Sequence, residues 1–423
     1  MNLKKARPGD LDPDFGDNGQ VIFTSPDVLQ FTPWAINVDS EQRIYVAGHA
    51  LRTGVGNQYF CMRLTSTGQP DKDFGQAGYV FGTFGDNISH QVGEVLVQKN
   101  DNKPLLISTF GQTKAVMRLN LDGSRDLSYG KDGVAIIPTG ASMRSDEVET
   151  AASGTGGTSH STLLSDGKLL LIAEVWVGSS VHHSLVVRLN TDGTLDNQFG
   201  EQGITRVRHP DFDGTLLLGS LELENENENE MKYLLSGAVL KQGQHDRALF
   251  MRLLPSGKLD TSFADEGYKV VLSEFRTGFY PDKLILQTNH RLLGVGHTYD
   301  ARDAGLLISR EMDGSENIQF NGGRPLLESN GALRNKWTNA LIQNDGKILV
   351  HGSTLNAQSG EDKNAVARFT DDGQLDTSFG ISFPVRQAYR PAAWFTGNTV
   401  LFLGTIKVDE TKYVHCIARG VIA

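Results

Sequence analysis

A short signature built on the pattern Leu-Asp-x-x-Phe-Gly recurs seven times along the 423-residue chain. Its aromatic residue stands at positions 15, 74, 129, 199, 263, 320 and 379, so six intervals cover 379 − 15 = 364 residues, a mean period of about 61. A regular period of this order is typical of repeat architectures, in which each unit buries its apolar face on its neighbours. The sequence therefore predicts one array of seven similar units rather than two or three independent domains.

Four β-like runs of four to six residues recur within each period. In the first complete unit they are 35–38, 43–48, 59–64 and 78–81, and Gly, Asn and Asp bound them. Such runs predict short β-strands, and no stretch shows the sustained three-to-four spacing of an amphipathic helix. The second run is apolar throughout in most units, which predicts a strand covered on both faces, as in stacked sheets.

Seven units of four strands match the dimensions of a β-propeller. We therefore predict an all-β, seven-bladed β-propeller with four antiparallel strands per blade, in one domain spanning 1–423. The run 21–24 should join the C-terminal strands as the fourth strand of the last blade and so close the ring, because closure removes the open sheet edge. The predicted blades are 33–83, 88–138, 145–208, 214–273, 280–328, 335–386, and 391–423 together with 1–25.

An arginine near the end of each third run accompanies the signature. The arginines are Arg63, Arg118, Arg188, Arg252, Arg310, Arg368 and Arg419. Eight residues separate arginine and signature aspartate in Arg63/Asp71, Arg118/Asp126, Arg188/Asp196, Arg252/Asp260 and Arg368/Asp376, and closure of the ring would pair Arg419 with Asp12. A charge pair repeated in every unit is structural rather than catalytic, and it should hold the third strand to the following loop through charge-assisted hydrogen bonds.

Composition excludes several classes of partner. The chain has 40 basic and 50 acidic residues, a net charge of −10, which makes nucleic acid or an anionic membrane surface an unsuitable partner. No apolar run reaches the roughly 18 residues of a membrane span. The N-terminus has basic residues without an apolar h-region, so the protein is expected to be cytoplasmic, or exported by a route without a visible signal. Cys61 and Cys416 are read as buried small hydrophobic residues that face opposite sides of their strands.

The signature followed by a strand and then by Asp-Gly-Lys before an apolar strand resembles the bacterial delta-60 repeat. The closest matches are 375–380 and 343–350, and the resemblance covers nearly the whole chain. It implies a β-propeller of unknown function and brings no catalytic residues to transfer. The layout is also similar to kelch propellers. Departures from the pattern, which place local turn geometry in question, are Tyr129 for Phe, Ala264 and Asn321 for Gly, and Asn317 for Asp.

Functional residues are expected on the connections into the first strands, because loops on a rigid scaffold carry function. The residues predicted to ring one mouth of the central channel are Trp34, His90, His160, Asp213, Tyr280, Trp337 and Arg390. Trp337 and Arg390 are the predicted anchors for a partner, since desolvated aromatic and arginine side chains dominate recognition. The alternative is that the Trp and Tyr side chains fill gaps between blades. The insertion 140–160 and the acidic run 222–230 are further irregular segments, the latter read as a solvated hairpin tip.

Two functions remain open from the sequence. The first is a non-enzymatic binding or scaffold propeller that recognises a protein or a glycan through its variable face. The alternative is a hydrolase or lyase with its active site at the channel mouth. The chain lacks the Gly-x-Ser-x-Gly, His-Glu-x-x-His and Cys-x-x-Cys motifs, and His182 and His183 should point to opposite faces of one strand. We therefore expect no cofactor and no metal. Clustered titratable groups with perturbed pKa values at the mouth would favour an enzyme.

Overall fold

The computed structural model describes residues 6–85, 91–108, 113–138, 149–150, 161–177, 181–225, 230–272, 277–299, 304–329, 333–356, 359–360, 362–387, 392–409 and 412–422. These residues form 29 β-strands and one short 3-10 helix, Asn321–Gly323, and they contain no α-helix. The all-β prediction is therefore confirmed. Within the same ranges, no helix combines the length and the apolar character needed to cross a membrane.

Four of the six sheets are four-stranded antiparallel meanders, in which each strand pairs with the next along the chain. The first is β2 (Val28–Val38), β3 (Ile44–Arg52), β4 (Gly56–Leu64) and β5 (Tyr79–Gly82). The second is β6 (Val92–Val97), β7 (Pro104–Ser108), β8 (Thr113–Arg118) and β9 (Val134–Pro138). The third is β15 (Gly214–Asn225), β16 (Glu230–Leu240), β17 (Arg247–Leu253) and β18 (Tyr268–Val271). The fourth is β19 (Gly278–Leu286), β20 (Leu292–Tyr299), β21 (Gly305–Arg310) and β22 (Leu326–Glu328).

The two remaining sheets are larger. A five-stranded sheet contains β10 (Glu149–Thr150), β11 (Thr162–Leu163), β12 (Leu169–Val177), β13 (Val181–Leu189) and β14 (Ile204–Val207). An eight-stranded sheet contains β1 (Gln20–Ile22), β23 (Leu333–Ile342), β24 (Ile348–Asn356), β25 (Asp362–Phe369), β26 (Leu375–Gln387), β27 (Ala393–Thr396), β28 (Thr399–Lys407) and β29 (Tyr413–Val421). Its halves, β23–β26 and β27–β29 with β1, are joined where β26 pairs with β28 through Arg386↔Thr405 and Gln387↔Gly404. None of the six sheets closes on itself within the described residues.

Strands from the two ends of the chain share one sheet. β1 runs antiparallel to β29, with Gln20 opposite Ala418 and Ile22 opposite Cys416. Phe15 and Phe23, which flank β1, are buried. The edge of β29 is therefore covered by the N-terminal segment, which satisfies backbone groups that would otherwise be open.

The core lies between sheets, since the middle strands are apolar on both faces. Each of seven apolar clusters of described residues combines side chains from two consecutive four-strand sets. One of them packs Leu403 and Ile417 of β28 and β29 against Phe60 of β4, so the last set contacts the first. Cys61 and Cys416 are both free and fully buried, and burial raises the pKa of each thiol to about 12. The sheets thus stack face against face.

Five of the repeat arginines, Arg63, Arg118, Arg188, Arg252 and Arg419, also contact the following unit. Arg188 donates from Nε to Asp196 at 2.7 Å and from Nη1 to the carbonyl of Pro255 in the following sheet at 2.6 Å, and its guanidinium lies 4.8 Å from the centre of the Phe199 ring. The Nε–carboxylate distance is 2.7 Å in Arg63–Asp71, Arg118–Asp126 and Arg252–Asp260, 2.9 Å in Arg368–Asp376 and 2.8 Å in Arg419–Asp12. Although burial raises the pKa of Asp260, hydrogen bonds from Ser262 and Arg252 lower it to about 2.

The signature aromatic ring lies beneath a glycine of the next unit. Gly193 has φ +83°, and a Cβ placed there would lie 2.7 Å from the Tyr129 ring. The same approach recurs between Gly68 and Phe15, Gly257 and Phe199, Gly314 and Phe263, and Gly373 and Phe320. Only glycine permits both this positive φ and this proximity. These turn glycines therefore serve inter-sheet packing as well as chain reversal.

The prediction that Arg310 is equivalent to the other repeat arginines is wrong by one residue, because Ser309 occupies their position. Arg118 and Arg252 pair across the ladder with Leu105 and Leu234, and the equivalent Leu293 pairs with Ser309. Asn317 donates from Nδ2 to Ser309 Oγ at 3.0 Å, so a neutral hydrogen bond replaces the ion pair in this unit. Arg310 instead occupies the buried position that leucine has elsewhere. The paired loss of both charges explains why this unit tolerates Asn for Asp, since replacing both partners leaves no charge unpaired.

Candidate channel-mouth site

Two of the predicted rim residues are buried between sheets. Trp34 is 6 % exposed and Trp337 is 2 % exposed. The Trp337 indole packs so closely on Gly305 that a Cβ there would lie 1.9 Å from its Nε1, and Trp34 contacts the His49 ring edge-on at 5.1 Å. Both indoles therefore occupy gaps between sheets, the alternative that the sequence left open for them.

The other predicted residues divide into described and undescribed positions. Asp213 is exposed, and its Oδ2 accepts a hydrogen bond from the backbone N–H of Gln242 at 2.8 Å, so it braces the β16–β17 hairpin. His90, His160 and Arg390 lie outside the described residues, as do most of the 140–160 insertion and 226–229 of the acidic run. Among the predicted rim residues, Tyr280 contacts other titratable and aromatic side chains.

Tyr280 connects two neighbouring sheets at this mouth. The β16–β17 hairpin and the connection into β19 lie at the same end of their sheets because consecutive strands are antiparallel. The Tyr280 hydroxyl accordingly donates to the carboxylate of Asp246, which lies in that hairpin. Burial raises the pKa of the Tyr280 hydroxyl, and the hydrogen bond to Asp246 raises it further. The phenol therefore remains protonated as a fixed hydrogen-bond donor.

A histidine and a second aspartate lie against the Tyr280 ring. The His297 ring stacks on it at a centroid distance of 5.6 Å and an interplanar angle of 19°. His297 Nδ1 lies 2.7 Å from Oδ2 of Asp282, whose carboxylate is only 4 % exposed. This contact holds the His297 ring in a fixed orientation beside Tyr280. Asp246, Tyr280, His297 and Asp282 form what we term the mouth cluster.

One aromatic side chain of the same unit faces solvent. Tyr299, the last residue of β20, is 70 % exposed and meets the Tyr280 ring edge-on at a centroid distance of 6.4 Å. The mouth cluster thus combines an exposed aromatic face, a phenol, an imidazole and two carboxylates. A few fixed polar groups beside aromatic surface are the usual composition of a small-ligand site.

A second set of positions lies where five inner strands each carry a one-residue bulge. The strand register places the residue that follows each bulge at the same level of its sheet. These equivalent residues are Ala35, Glu94, Gly219, Lys283 and Asn339, and a ladder shift immediately precedes each one. We call them the bulge-level positions. The sequence analysis missed them because a bulge inserts one extra residue into the strand, and the sequence pattern does not show where that residue lies.

Two bulge-level residues carry opposite charges. Glu94 accepts hydrogen bonds from the backbone N–H of Ser161 at 2.7 Å and from its hydroxyl at 3.0 Å. Burial raises the pKa of Glu94, against the opposing effect of these hydrogen bonds. Burial lowers the pKa of Lys283, against the attraction of Glu94.

No group of three or more His, Cys, Asp or Glu side chains suited to a metal ion occurs in the part of the chain that the structure describes. His183 is buried on β13 beside His182. The phenol, imidazole and carboxylates of the mouth cluster can transfer protons and form hydrogen bonds.

Stacked antiparallel sheets, mostly four-stranded and joined through apolar faces and a repeated arginine contact, define the chain as a β-propeller. The family described as a domain of unknown function (DUF5122) beta-propeller matches residues 164–199 and 343–379. Each match runs from the hairpin before a second strand to the signature aromatic residue. No curated protein matches the chain.

Several solved structures are similar over most of the chain. A protein of unknown function from Dyadobacter fermentans is 13 % identical, covers 97 % of this chain and 100 % of its own, and has a TM-score of 0.43. The beta-propeller domain of the Trilobed protease from Pyrococcus furiosus is 9 % identical over 95 % and 97 %, with a TM-score of 0.44. The NanB sialidase of Streptococcus pneumoniae is 13 % identical over 96 % and 70 %, with a TM-score of 0.41. None of these likenesses carries an argument about function.

Proposed function

We propose that the protein is a non-enzymatic binding propeller that recognises a glycan at the mouth cluster. The observation that carries the proposal is the exposed Tyr299 ring beside the hydrogen-bonded Tyr280–Asp246 pair. A sugar ring offers an apolar face that packs on an aromatic side chain and hydroxyl groups that pair with carboxylate and imidazole. Rigid aromatic residues also supply contact area at a low cost in conformational entropy.

The scaffold proposed for this site is a closed ring of seven blades. Counting the eight-stranded sheet as two sets gives seven four-strand sets, with the small extra pair β10–β12 aside. The β1–β29 pairing and the shared apolar cluster of β28, β29 and β4 support closure between the last set and the first. Arg419 also donates from Nη1 to the carbonyl of Ser66 at 2.6 Å, as Arg63, Arg118, Arg188 and Arg252 donate to carbonyls of their following units. A closed ring would hold the mouth rigid.

A glycan array tests the proposal. Wild-type protein should retain a defined set of glycans, and Tyr299→Ala and Tyr280→Phe should each weaken that binding by at least about tenfold, since buried aromatic contacts commonly contribute about 2 kcal/mol. Tyr413→Ala is the matched control, because Tyr413 is an exposed tyrosine on a different strand set. Retention that is equal in wild type and Tyr299→Ala would remove the mouth cluster from consideration. If the propeller retains a protein partner and no glycan, its partner is a protein, the other class that the sequence leaves open.

The His297–Asp282 pair supports a second candidate, a hydrolase or lyase at the same mouth. A buried carboxylate that orients an accessible imidazole is the arrangement of a general base and its positioning group. Turnover of a retained glycan by wild type, lost in His297→Ala but with binding preserved, would establish this candidate. Binding without product formation over prolonged incubation would leave the non-enzymatic proposal in place.

A further inference from the structure

Two cations of the β16–β17 hairpin lie against one aromatic ring beside the mouth cluster. Lys241 Nζ lies 5.9 Å and the Arg247 guanidinium 5.5 Å from the centre of the Phe212 ring. Lys241 is exposed, and Arg247 and Phe212 are half-buried. Both distances are within the range of a cation–π contact, which holds a cation in place without neutralising its charge. We call Phe212, Lys241 and Arg247 the cationic patch.

The two positive charges of the cationic patch are not neutralised within the part of the chain that the structure describes. The carboxylates of Asp211 and Asp213 belong to the preceding connection, yet neither forms an ion pair with Lys241 or Arg247. Lys241 Nζ donates to the backbone carbonyl of Asp211 at 3.2 Å, and Arg247 donates from Nη2 to the side-chain oxygen of Gln244. An ammonium has three N–H donors and a guanidinium has five, so both cations keep donors for an anion.

The hairpin that carries these cations is fixed from both sides. The N–H of Asp213 donates to the carbonyl of Leu240 at 3.0 Å, and Asp213 Oδ2 accepts from the N–H of Gln242. On the other side, the N–H of Phe279 donates to the carbonyl of Asp246 at 3.3 Å. A site that is already held in one conformation loses less conformational entropy when it binds a ligand. The cationic patch is therefore preorganised.

We propose that the cationic patch binds the carboxylate of an acidic sugar within the glycan, an inference that rests on the proposed glycan recognition at the mouth cluster. Asp246, which accepts the hydrogen bond of Tyr280, directly precedes Arg247, so the patch and the mouth cluster adjoin. The planar guanidinium matches the two oxygens of a carboxylate, and Lys241 adds a point charge. The net charge of −10 disfavours long polyanions, so isolated carboxylates suit the patch better than a highly sulfated chain.

The probes are oligosaccharides that contain glucuronic or galacturonic acid, each printed on the glycan array beside its neutral, carboxyl-reduced counterpart. Wild-type protein should retain the acidic form at least about tenfold more strongly, because hydrogen bonds between charged partners are stronger than neutral ones. Lys241→Met/Arg247→Met should abolish that preference. The matched control is Lys407→Met/Lys412→Met, which removes two positive charges from the exposed β28–β29 hairpin of another strand set and should keep the preference. Circular dichroism and unfolding temperature establish that each double variant folds.

The outcomes separate this inference from the proposed function. Equal retention of acidic and neutral forms, sensitive to Tyr299→Ala, would overturn the carboxylate subsite and leave glycan recognition in place. A preference that survives Lys241→Met/Arg247→Met, or that the control double variant also loses, would overturn the cationic patch as its source. Stronger retention of sulfated glycans than of those with uronic acids would overturn the assignment of a carboxylate. Failure of wild type to retain any glycan, acidic or neutral, would overturn both proposals.

Discussion

Arg419 donates from Nε to the Oδ2 atom of Asp12 at 2.8 Å, although the two residues lie 407 positions apart in the chain. The same guanidinium lies 4.7 Å from the centre of the Phe15 ring. Asp12 and Phe15 both belong to the segment before β1, so these two contacts tie the N-terminal segment to the last strand. Its geometry matches that of Arg252 with Asp260 and Phe263, which are neighbours in sequence.

Arg419→Ala should lower the free energy of unfolding by about 2–4 kcal/mol, close to the loss expected for Arg252→Ala. Removing one partner of a largely buried pair leaves a carboxylate unpaired and also removes a cation–π contact. Chemical denaturation of both variants measures the loss. Arg7→Ala is the control, because Arg7 is 85 % exposed in its contact with Asp10 and should contribute under about 1 kcal/mol. Arg419→Ala with the stability of Arg7→Ala would contradict the prediction.

Deletion of residues 1–24 should lower the unfolding temperature by at least about 10 °C. The deletion removes β1 from the edge of β29 and exposes the surfaces that bury Phe15 and Phe23, each worth about 3–5 kcal/mol in a core. Differential scanning fluorimetry at matched concentrations measures the change. Addition of a synthetic peptide covering 6–24 should restore part of the lost stability. An unchanged unfolding temperature would show that the N-terminal segment does not stabilise the last strand set.

Gly193→Ala should destabilise the protein by about 1–3 kcal/mol more than Gly243→Ala. Both glycines have positive φ, +83° and +75°, so both substitutions carry the same backbone strain. Only at Gly193 would the new methyl group overlap the Tyr129 ring, whereas nothing lies within 4 Å at Gly243. Urea unfolding of the two variants isolates the steric part. Equal losses would mean that the turn glycine is required for its conformation alone.

His351 should make the protein sensitive to mild acid. The ring is fully buried against Phe402, and both of its nitrogens lack a hydrogen-bond partner among the described residues. Burial lowers the pKa of His351 from 6.5 to about 4, with a smaller opposing effect from Asn364. The unfolded chain therefore binds this proton more readily, so stability is complete above about pH 6.5 and falls as the pH drops toward 4.

Between pH 7.5 and pH 4.5, wild-type protein should lose about 2–3 kcal/mol more stability than His351→Phe does. Phenylalanine keeps the ring contact but has no titrating group. Urea unfolding of wild type and variant across this range gives the difference. His290→Phe is a suitable control, since His290 is exposed in a turn. Parallel pH profiles for wild type and His351→Phe would assign the acid sensitivity to other groups.

The sequence was most informative where a local pattern repeats. Short apolar runs and Asp-Gly turns predict the strands, and the eight-residue separation predicts which arginine lies beside which aspartate, because both depend on neighbours in sequence. The alignment of Arg310 was wrong because Ser309 and Asn317 change together, and no local spacing reveals a replaced pair. The bulge-level residues Glu94 and Lys283 were missed because the bulges that precede them leave no spacing signal in the sequence. The gap-filling positions of Trp34 and Trp337 likewise depend on how tightly adjacent sheets approach.

The pairing of β1 with β29 also sets an order of events during synthesis. Gln20 and its partner Ala418 are separated by 418 − 20 = 398 residues. A ribosome that adds about 5–20 residues per second needs about 20–80 s between them. Throughout that interval β29 has not been made, so β1 has no strand to pair with, and the nascent N-terminus is a candidate for holding by chaperones. The residues made first are among the last to fold.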